Sequence, residues 1–294
     1  MRLLLAGCVV AAAAAVAVPF AVAGAGSAAG VTAAAAPIAA DAYGIATKIA
    51  RSGPRPATSG REARAHRLVR QEFRAAGLRV GVQEFRVPGH GRSRNVIGVY
   101  DTPRSGLRLV MAHTDSMPAG PGANDNASGV GVVTSLARRL RLIRPWCDVW
   151  LVATGAEERG YTGSPDHLGA LALARRARAH GARKRLRWAL SLDEVGRDYP
   201  FWLRSPVSAP RSRVETELLA AAGRVGTQVS WVRDESTGNS DHREFQLSGL
   251  PGVKLGVGAG GEPCRHMACD RPSRLRQTSL VAARRMVAEA LRSR

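Results

Sequence analysis

The sequence predicts an α/β fold: a single three-layer α/β/α domain whose central sheet is mixed and mostly parallel. Strand-like and helix-like segments alternate along the chain, as they do in layered α/β domains. In addition, residues 147–154 are apolar almost throughout, which is typical of a strand buried on both faces of such a sheet. Residues 40–294 are numerous enough to enclose one large hydrophobic core.

The spacing of apolar residues defines the elements. Over residues 61–76 they recur at helical spacing, and Gly77 follows as an end signal, which predicts an amphipathic helix. Over residues 107–112 every second residue is leucine or methionine, which predicts a strand. In chain order, the predicted elements are helix 61–76, strands 78–87, 95–100 and 107–112, helix 127–142, strand 147–154, helix 165–180, strand 186–192, helix 212–224, strand 252–257 and helix 274–292.

Residues 1–23 have the pattern of a cleaved secretory signal peptide, with a charged start, an apolar alanine-rich run and small residues at its end. The segment Leu5-Ala6-Gly7-Cys8 resembles a lipoprotein cleavage box, but too short an apolar segment precedes it for us to expect a lipid anchor at Cys8. Residues 24–39 have no periodicity and are predicted to be a flexible leader. We therefore expect a secreted protein without stable membrane insertion, whose domain spans residues 40–294.

The net charge of +20 does not predict a nucleic-acid partner. Basic surfaces gain affinity for nucleic acids by releasing counterions, but such surfaces are concentrated in one stripe or patch. Here the excess is almost entirely arginine, is spread over every segment, and is not interleaved with aromatic residues, which make up 5% of the chain.

Histidines and acidic residues follow the ends of the predicted strands. Carboxyl ends of parallel strands lie at one edge of a sheet, where open α/β sheets bind their ligands. Each residue alone has an ordinary explanation, such as a helix N-cap or a solvated pair of acids, but their joint placement favours one site. The candidates are His113, Asp115, Asp125, Glu157, Glu158, Asp193 and His266.

The residue types of this set predict a zinc site. Imidazole together with carboxylates suits zinc, whereas an all-oxygen set would suit calcium or magnesium. One catalytic zinc uses three protein ligands, and this set exceeds that number. A pair of zinc ions that shares a bridging carboxylate would use the whole set.

The segment PCRHMACD, residues 263–270, has two readings. Cys264, His266 and Cys269 could form a small zinc knuckle. Alternatively, the two cysteines could be bonded to each other while His266 serves another site.

As a set, these motifs resemble the secreted dizinc aminopeptidases of metallopeptidase family twenty-eight, the bacterial leucyl-aminopeptidase type. The resemblance covers roughly residues 45–290. It implies a metallo-exopeptidase, a monomer with two zinc ions per chain, that removes N-terminal residues, large apolar ones in particular, from peptides or proteins. The motifs that carry it are His113-Thr114-Asp115, Gly122-Ala123-Asn124-Asp125-Asn126-Ala127-Ser128-Gly129, Gly155-Ala156-Glu157-Glu158, Leu192-Asp193, Ser240-Asp241-His242 and His266 with Asp270.

The resemblance also implies a role for each candidate. His113 and Asp193 would bind one zinc, Glu158 and His266 the other, and Asp125 would bridge them. Glu157 would be the general base, and Asp115 would orient the ring of His113. These assignments agree with the chemistry of two-metal hydrolysis.

Two features lie around His266. The family commonly has a tyrosine just before the last histidine, where this chain has Arg265; as a charged donor, Arg265 could take over as the oxyanion donor. An exported chain meets an oxidising compartment, and His266 is already required by the larger site, so we expect a disulfide between Cys264 and Cys269. Glu194, after the Asp193 ligand, also replaces a residue that is more often apolar.

Two alternatives remain open at this stage: a glutaminyl-cyclase-like enzyme with one zinc, and a non-catalytic relative that acts as a binding module. Outside the candidate set, we interpret Ser240-Asp241-His242 as structural or pocket-lining and Cys147 as a buried free thiol. Four histidines are interpreted as ordinary surface residues: His66, His90, His167 and His180.

Overall fold

The centre of the fold is one mixed sheet. The computed structural model describes residues 41–197 and 200–294, and within them eight strands pair in the order β1-β2-β4-β3-β5-β8-β6-β7. Four of the strand pairs are parallel and three are antiparallel. The strands are β1 Arg79–Val87, β2 Gly91–Tyr100, β3 Leu107–His113, β4 Asp148–Thr154, β5 Leu186–Asp193, β6 Phe201–Ser205, β7 Val229–Arg233 and β8 Gly252–Gly256.

Helices cover both faces of the sheet and bury its apolar side chains in two clusters. Side chains of α1, α2, α3, α4, α8 and α10 pack with one face, and those of α6, α7 and α9 with the other. The predicted three-layer α/β/α fold with a mixed, mostly parallel sheet is therefore confirmed. The helices are α1 Ala42–Arg51, α2 Gly60–Ala75, α3 Gly129–Ala137, α4 Leu140–Ile143, α5 Arg159–Thr162, α6 Leu168–Ala179, α7 Ala182–Arg185, α8 Glu215–Arg224, α9 His242–Leu247 and α10 Gln277–Arg292.

The parallel pairs fix the position of the candidate residues. In the order β4-β3-β5-β8, neighbouring strands run in the same direction, so their carboxyl ends meet at one edge. His113 is aligned with Thr154, and Asp193 with Gly256. The loops that leave these strands therefore start from the same edge.

Several elements differ from the sequence prediction. The predicted helix 127–142 is divided into a π-helical turn, Ala123–Ser128, and the helices α3 and α4. The turn is held by the side chain of Asn126, which accepts from the backbone N–H of Gly129 and donates to the carbonyl of Leu192. The prediction omitted α1, α5, α7, α9, β6 and β7; apart from α1, each of these spans only four to six residues, too few for a clear period.

Two of the four histidines interpreted as surface residues are buried, and for them the prediction was wrong. His66 lies on the side of α2 that faces the sheet, with Nε2 3.4 Å from the carbonyl oxygen of Thr154. His167 is buried beside the candidate residues at the carboxyl edge of the sheet. His90 and His180 are exposed, and Cys147 is a buried free thiol, as predicted.

The signal-peptide prediction for residues 1–23, the leader 24–39 and the interpretation of Cys8 lie outside the described residues. Among the helices that the structure does describe, none has the length and apolar character needed to cross a membrane.

Burial of His66 makes folding sensitive to acid. Burial lowers the pKa of His66 from 6.5 to about 4. Between these pH values, the His66 imidazole is therefore protonated in the unfolded chain but neutral in the folded chain. As a result, the free energy of unfolding falls as pH decreases through this window. The shift corresponds to about 3 kcal/mol. We expect His66→Gln, which keeps a donor for Thr154, to reduce this loss. Urea unfolding from pH 7 to pH 4, with chelator present, measures it.

His180→Gln is the matched control, because it removes an exposed histidine. An equal pH dependence in His66→Gln and His180→Gln would contradict the prediction.

Candidate metal centre

The structure brings the predicted ligands together at the carboxyl edge of the sheet. His113 ends β3, and its Nε2 atom is 3.2 Å from Asp125 Oδ1 and 3.5 Å from Asp193 Oδ1. All three side chains are buried. One imidazole and two carboxylates therefore face a common point.

A second group lies directly beside the first. His266 Nε2 is 3.3 Å from Asp125 Oδ2 and 3.0 Å from Glu158 Oε2. The two carboxylate oxygens of Asp125 thus face different histidines. Asp125 belongs to both groups, as a bridging ligand would.

The residues fit a pair of cations. Asp193 Oδ1 and Glu158 Oε1 are buried, and neither accepts a hydrogen bond within the described part of the chain. Burial would lower the pKa of His113, but the carboxylates around it, Glu157 foremost, outweigh burial and raise it well above 6.5. Such crowding of buried negative charge requires a compensating cation. The donor set of imidazoles and carboxylates is one that zinc accepts.

The loops that carry these side chains adopt uncommon backbone conformations. Of the six described residues other than glycine that have left-handed φ values, three lie in these loops: Ala156 at 52°, Glu194 at 62° and His266 at 60°. Left-handed residues of this kind cost about 1–3 kcal/mol each and concentrate at functional sites. Gly122 is also left-handed, and a Cβ there would approach the carbonyl oxygen of Asp125 to 2.3 Å. Glycine is therefore required where the loop turns toward Asp125.

Asp115 supports two parts of the site. Its carboxylate accepts from the backbone N–H groups of Glu157 and Glu158, at 3.2 and 3.1 Å. The ring of His113 places Nδ1 3.2 Å from the Asp115 carbonyl oxygen and 3.7 Å from its carboxylate. The atom of Asp115 within hydrogen-bond distance of the His113 ring is therefore its main-chain carbonyl oxygen, whereas the carboxylate, to which the sequence analysis gave this role, fixes the neighbouring loop.

Asp270 supports Asp125 in the same way. Its carboxylate accepts from the backbone N–H groups of Asn124 and Asp125, at 2.7 and 3.0 Å. The predicted disulfide between Cys264 and Cys269 closes the loop that carries His266. The zinc-knuckle reading of these cysteines is thereby excluded, and the disulfide encloses the residue that faces Asp125 and Glu158.

Glu157 faces the same space, with Oε2 4.0 Å from His113 Nε2. Burial raises the pKa of Glu157 well above 4.5, although the charge of His113 opposes the shift. Its other oxygen is 3.4 Å from Nε2 of His167. His167 is buried, and its Nδ1 atom is 3.0 Å from Glu244 Oε1. Sequence reasoning missed this contact because His167 precedes a helix and follows no strand.

Two basic side chains at the site, those of Arg265 and Lys254, pair with acidic residues. Arg265 donates from Nε and Nη2 to the two carboxylate oxygens of Glu194, at 2.6 and 2.5 Å. Lys254 Nζ lies 2.7 Å from Asp193 Oδ2. The structure therefore places Arg265 near the predicted ligands, but commits two of its nitrogens to Glu194.

The Ser240-Asp241-His242 segment lies behind the site and has structural contacts. Asp241 accepts from the hydroxyl of Thr154, and His242 Nε2 is 2.6 Å from Asp234 Oδ2. The first bond ties the start of α9 to the end of β4, and the second ties α9 to the segment that follows β7.

A cavity of about 220 Å³ opens over the two groups. Its wall contains predicted ligands together with other charged and polar residues. The lining residues are Asp125, Glu157, Glu158, Arg159, Gly160, His167, Asp193, Glu194, Asn239, Lys254, Arg265 and His266.

A layered α/β domain with two adjoining imidazole–carboxylate groups at the carboxyl edge of its sheet is the type of domain that can hold metal ions. The chain belongs to peptidase family M28, whose model matches residues 95–291. The family expected from the sequence motifs is therefore confirmed.

Individual relatives support the same family. The chain is 28% identical over 234 residues to leupeptin-inactivating enzyme 1 of Streptomyces exfoliatus, a match that covers 72% of this chain and 50% of that protein. The chain spans about half or less of the length of the curated relatives that it matches.

Solved structures share the fold. The zinc aminopeptidase BSAP from Bacillus subtilis superposes with a TM-score of 0.75 at 18% identity, over 86% of this chain and 93% of that one. A glutaminyl cyclase from Bacteroides thetaiotaomicron gives a TM-score of 0.72 at 21% identity, over 87% and 98%. At such identities the likeness establishes the fold and does not separate the two activities.

Metal affinity should depend on Asp270. In Asp270→Asn only one oxygen remains to accept from the two N–H groups that hold Asn124 and Asp125. We expect zinc affinity to fall by about 10- to 100-fold, as for other residues that orient a ligand. Competition with a chromophoric chelator measures the affinity.

Asp101→Asn, which changes an exposed carboxylate paired with Arg79, is the matched control. Unchanged affinity in Asp270→Asn would show that Asp125 does not depend on this support.

Proposed function

We propose that this protein is a secreted, zinc-dependent aminopeptidase that hydrolyses N-terminal residues from peptides. The observation that carries this proposal is the position of Asp125, whose two oxygens each face a different histidine. Family membership supports peptide hydrolysis, and the sequence pattern of residues 1–23 supports export.

The proposed ligands form two groups that share one residue. His113 and Asp193 would hold one zinc, Glu158 and His266 would hold the other, and Asp125 would bridge them. When bound, the two ions would lower the pKa of a water molecule and polarise the scissile carbonyl.

Glu157 is proposed as the general base. It is buried at the edge of the cavity, and burial raises the pKa of its carboxyl well above 4.5, toward the range in which proton transfer is efficient. It would take the proton of the attacking water and deliver it to the leaving amine. Asp115 fixes the backbone of Glu157 and thereby its distance from the ligands.

Arg265 is proposed as a donor to the developing oxyanion. Its bond to Glu194 uses Nε and Nη2 and not Nη1. A guanidinium anchored at one edge can present its remaining N–H groups in a fixed direction, which is what transition-state stabilisation requires.

The proposal is tested by release of p-nitroaniline from a panel of aminoacyl-p-nitroanilides, with metal analysis of the same preparation. We expect two zinc ions per chain, loss of turnover in chelator and recovery on addition of zinc. Glu157→Gln should keep both ions but lose at least about 100-fold in kcat, because it cannot accept a proton.

Three outcomes would contradict the proposal. Turnover that resists chelation would show that the reaction does not require a metal. Retained turnover in Glu157→Gln would show that Glu157 is not the general base. One zinc per chain, together with cyclisation of N-terminal glutamine, would favour the glutaminyl-cyclase alternative.

His167 should influence kcat through Glu157. Glu244 fixes the ring by accepting from Nδ1, which leaves the Nε2 lone pair to accept from Glu157 once that carboxyl carries the proton. We expect His167→Leu to lower kcat by about 3- to 10-fold, the value of one hydrogen bond between neutral groups, with little change in KM. Steady-state kinetics at saturating zinc measure this effect.

His167→Gln, whose side chain offers an acceptor and a donor, should recover part of the loss. A lower zinc content, or a rise in KM without a fall in kcat, would instead indicate a purely structural role for His167.

A further inference from the structure

Lys254 is a buried cation that the proposed mechanism does not use. It lies in the middle of β8, and its side chain is 8% exposed. Its Nζ atom lies 2.7 Å from Asp193 Oδ2, and this ion pair favours the charged form of the side chain. The side chain therefore remains an ammonium at the wall of the cavity.

The ammonium has unused hydrogen-bonding capacity. In the described part of the chain, Nζ lies 2.7 Å from Asp193 Oδ2. An ammonium carries three N–H donors, so this one contact leaves donors for water or for a ligand in the cavity.

The rest of the cavity wall is also polar. Apart from the proposed ligands and Glu157, the side chains that line it are three cations, one imidazole, one amide and one carboxylate: Arg159, Lys254, Arg265, His167, Asn239 and Glu194. The carboxylate, Glu194, is occupied by Arg265. Outside the proposed ligands and Glu157, the wall therefore has three cations and one carboxylate, and none of its described side chains is apolar.

A large apolar substrate side chain fits this wall poorly. It would cover the ammonium of Lys254 without replacing the water that solvates it, and it would find no apolar side chain to pack against. The family resemblance implies a large apolar first residue, so the wall of the cavity favours a different substrate class.

We propose that Lys254 binds a carboxylate of the substrate next to the scissile bond. This inference rests on the proposed aminopeptidase function and names its substrate class. Two peptide groups provide such a carboxylate: the side chain of an acidic first residue, and the free C-terminus of a dipeptide. In both cases the carboxylate accepts a charge-assisted hydrogen bond from Nζ.

Two matched pairs of substrates distinguish these sources. The p-nitroanilides of glutamate and glutamine differ only in the charge of the first side chain, and Leu-Leu and Leu-Leu-amide differ only in the C-terminal charge. We expect kcat/KM to favour the acidic member of at least one pair by about tenfold or more, the value of one charge-assisted hydrogen bond.

Variants of Lys254 show whether this residue causes the preference for the acidic substrate. Lys254→Met should reduce the ratio of acidic to neutral substrate toward one, and Lys254→Arg should retain much of it. The ratio is taken within one preparation, so a change in zinc occupancy affects both members equally. Lys184→Met, which removes an exposed lysine, should leave the ratio unchanged.

The outcomes separate this inference from the proposed function. Equal turnover of acidic and neutral members by the wild-type protein, or an unchanged ratio in Lys254→Met, overturns the inference alone. No turnover of any substrate overturns both. Should Lys254→Met fail to fold, a wild-type ratio near one in both pairs still overturns the inference. A ratio above ten that Lys254→Arg retains supports it.

Discussion

The constraint on which the rest of this structure depends is the burial of like charges around one imidazole. Four carboxylates lie near the ring of His113, at a sheet edge where water is largely excluded. Carboxylates in such a place repel one another and lose their solvation, so the arrangement persists only if cations and N–H donors compensate for the lost water. The backbone N–H groups that face Asp115 and the ammonium of Lys254 share this task, and a metal ion held by the candidate ligands would share it too.

Compensation of this kind requires a rigid frame, and the frame is built outside the site. Arg55 is completely buried and donates to the carbonyl oxygens of Thr114, Pro121 and Gly122, which fastens the loop between β3 and Asp125. With such fastening, left-handed residues such as Ala156 and His266 can be tolerated. Strained conformations survive where their surroundings over-determine them, so the stability of the domain supports the geometry of the site.

The sequence predicts the part of this arrangement that depends on strand ends. Apolar runs locate β3, β4 and β5, and parallel pairing then brings His113, Glu157 and Asp193 to one edge. It cannot predict contacts made across the domain. Arg55 and His66 lie in segments that read as polar helix or loop, and their burial results from packing against a sheet whose position no local pattern contains. The short strands β6 and β7 are not predicted from the sequence for a related reason. Each has five residues, too few to establish a period.

Pairing across the cavity also explains the departures from the family pattern around His266. Glu194 is buried, and burial raises the pKa of its carboxyl, an effect that Arg265 opposes by donating two hydrogen bonds. A tyrosine at position 265 could not neutralise that carboxylate, and an apolar residue at position 194 would leave the guanidinium without its anchor. A buried charge without its partner costs several kcal/mol, about 3–5 in measured cases. Glu194 and Arg265 therefore depend on each other, because each compensates the charge of the other.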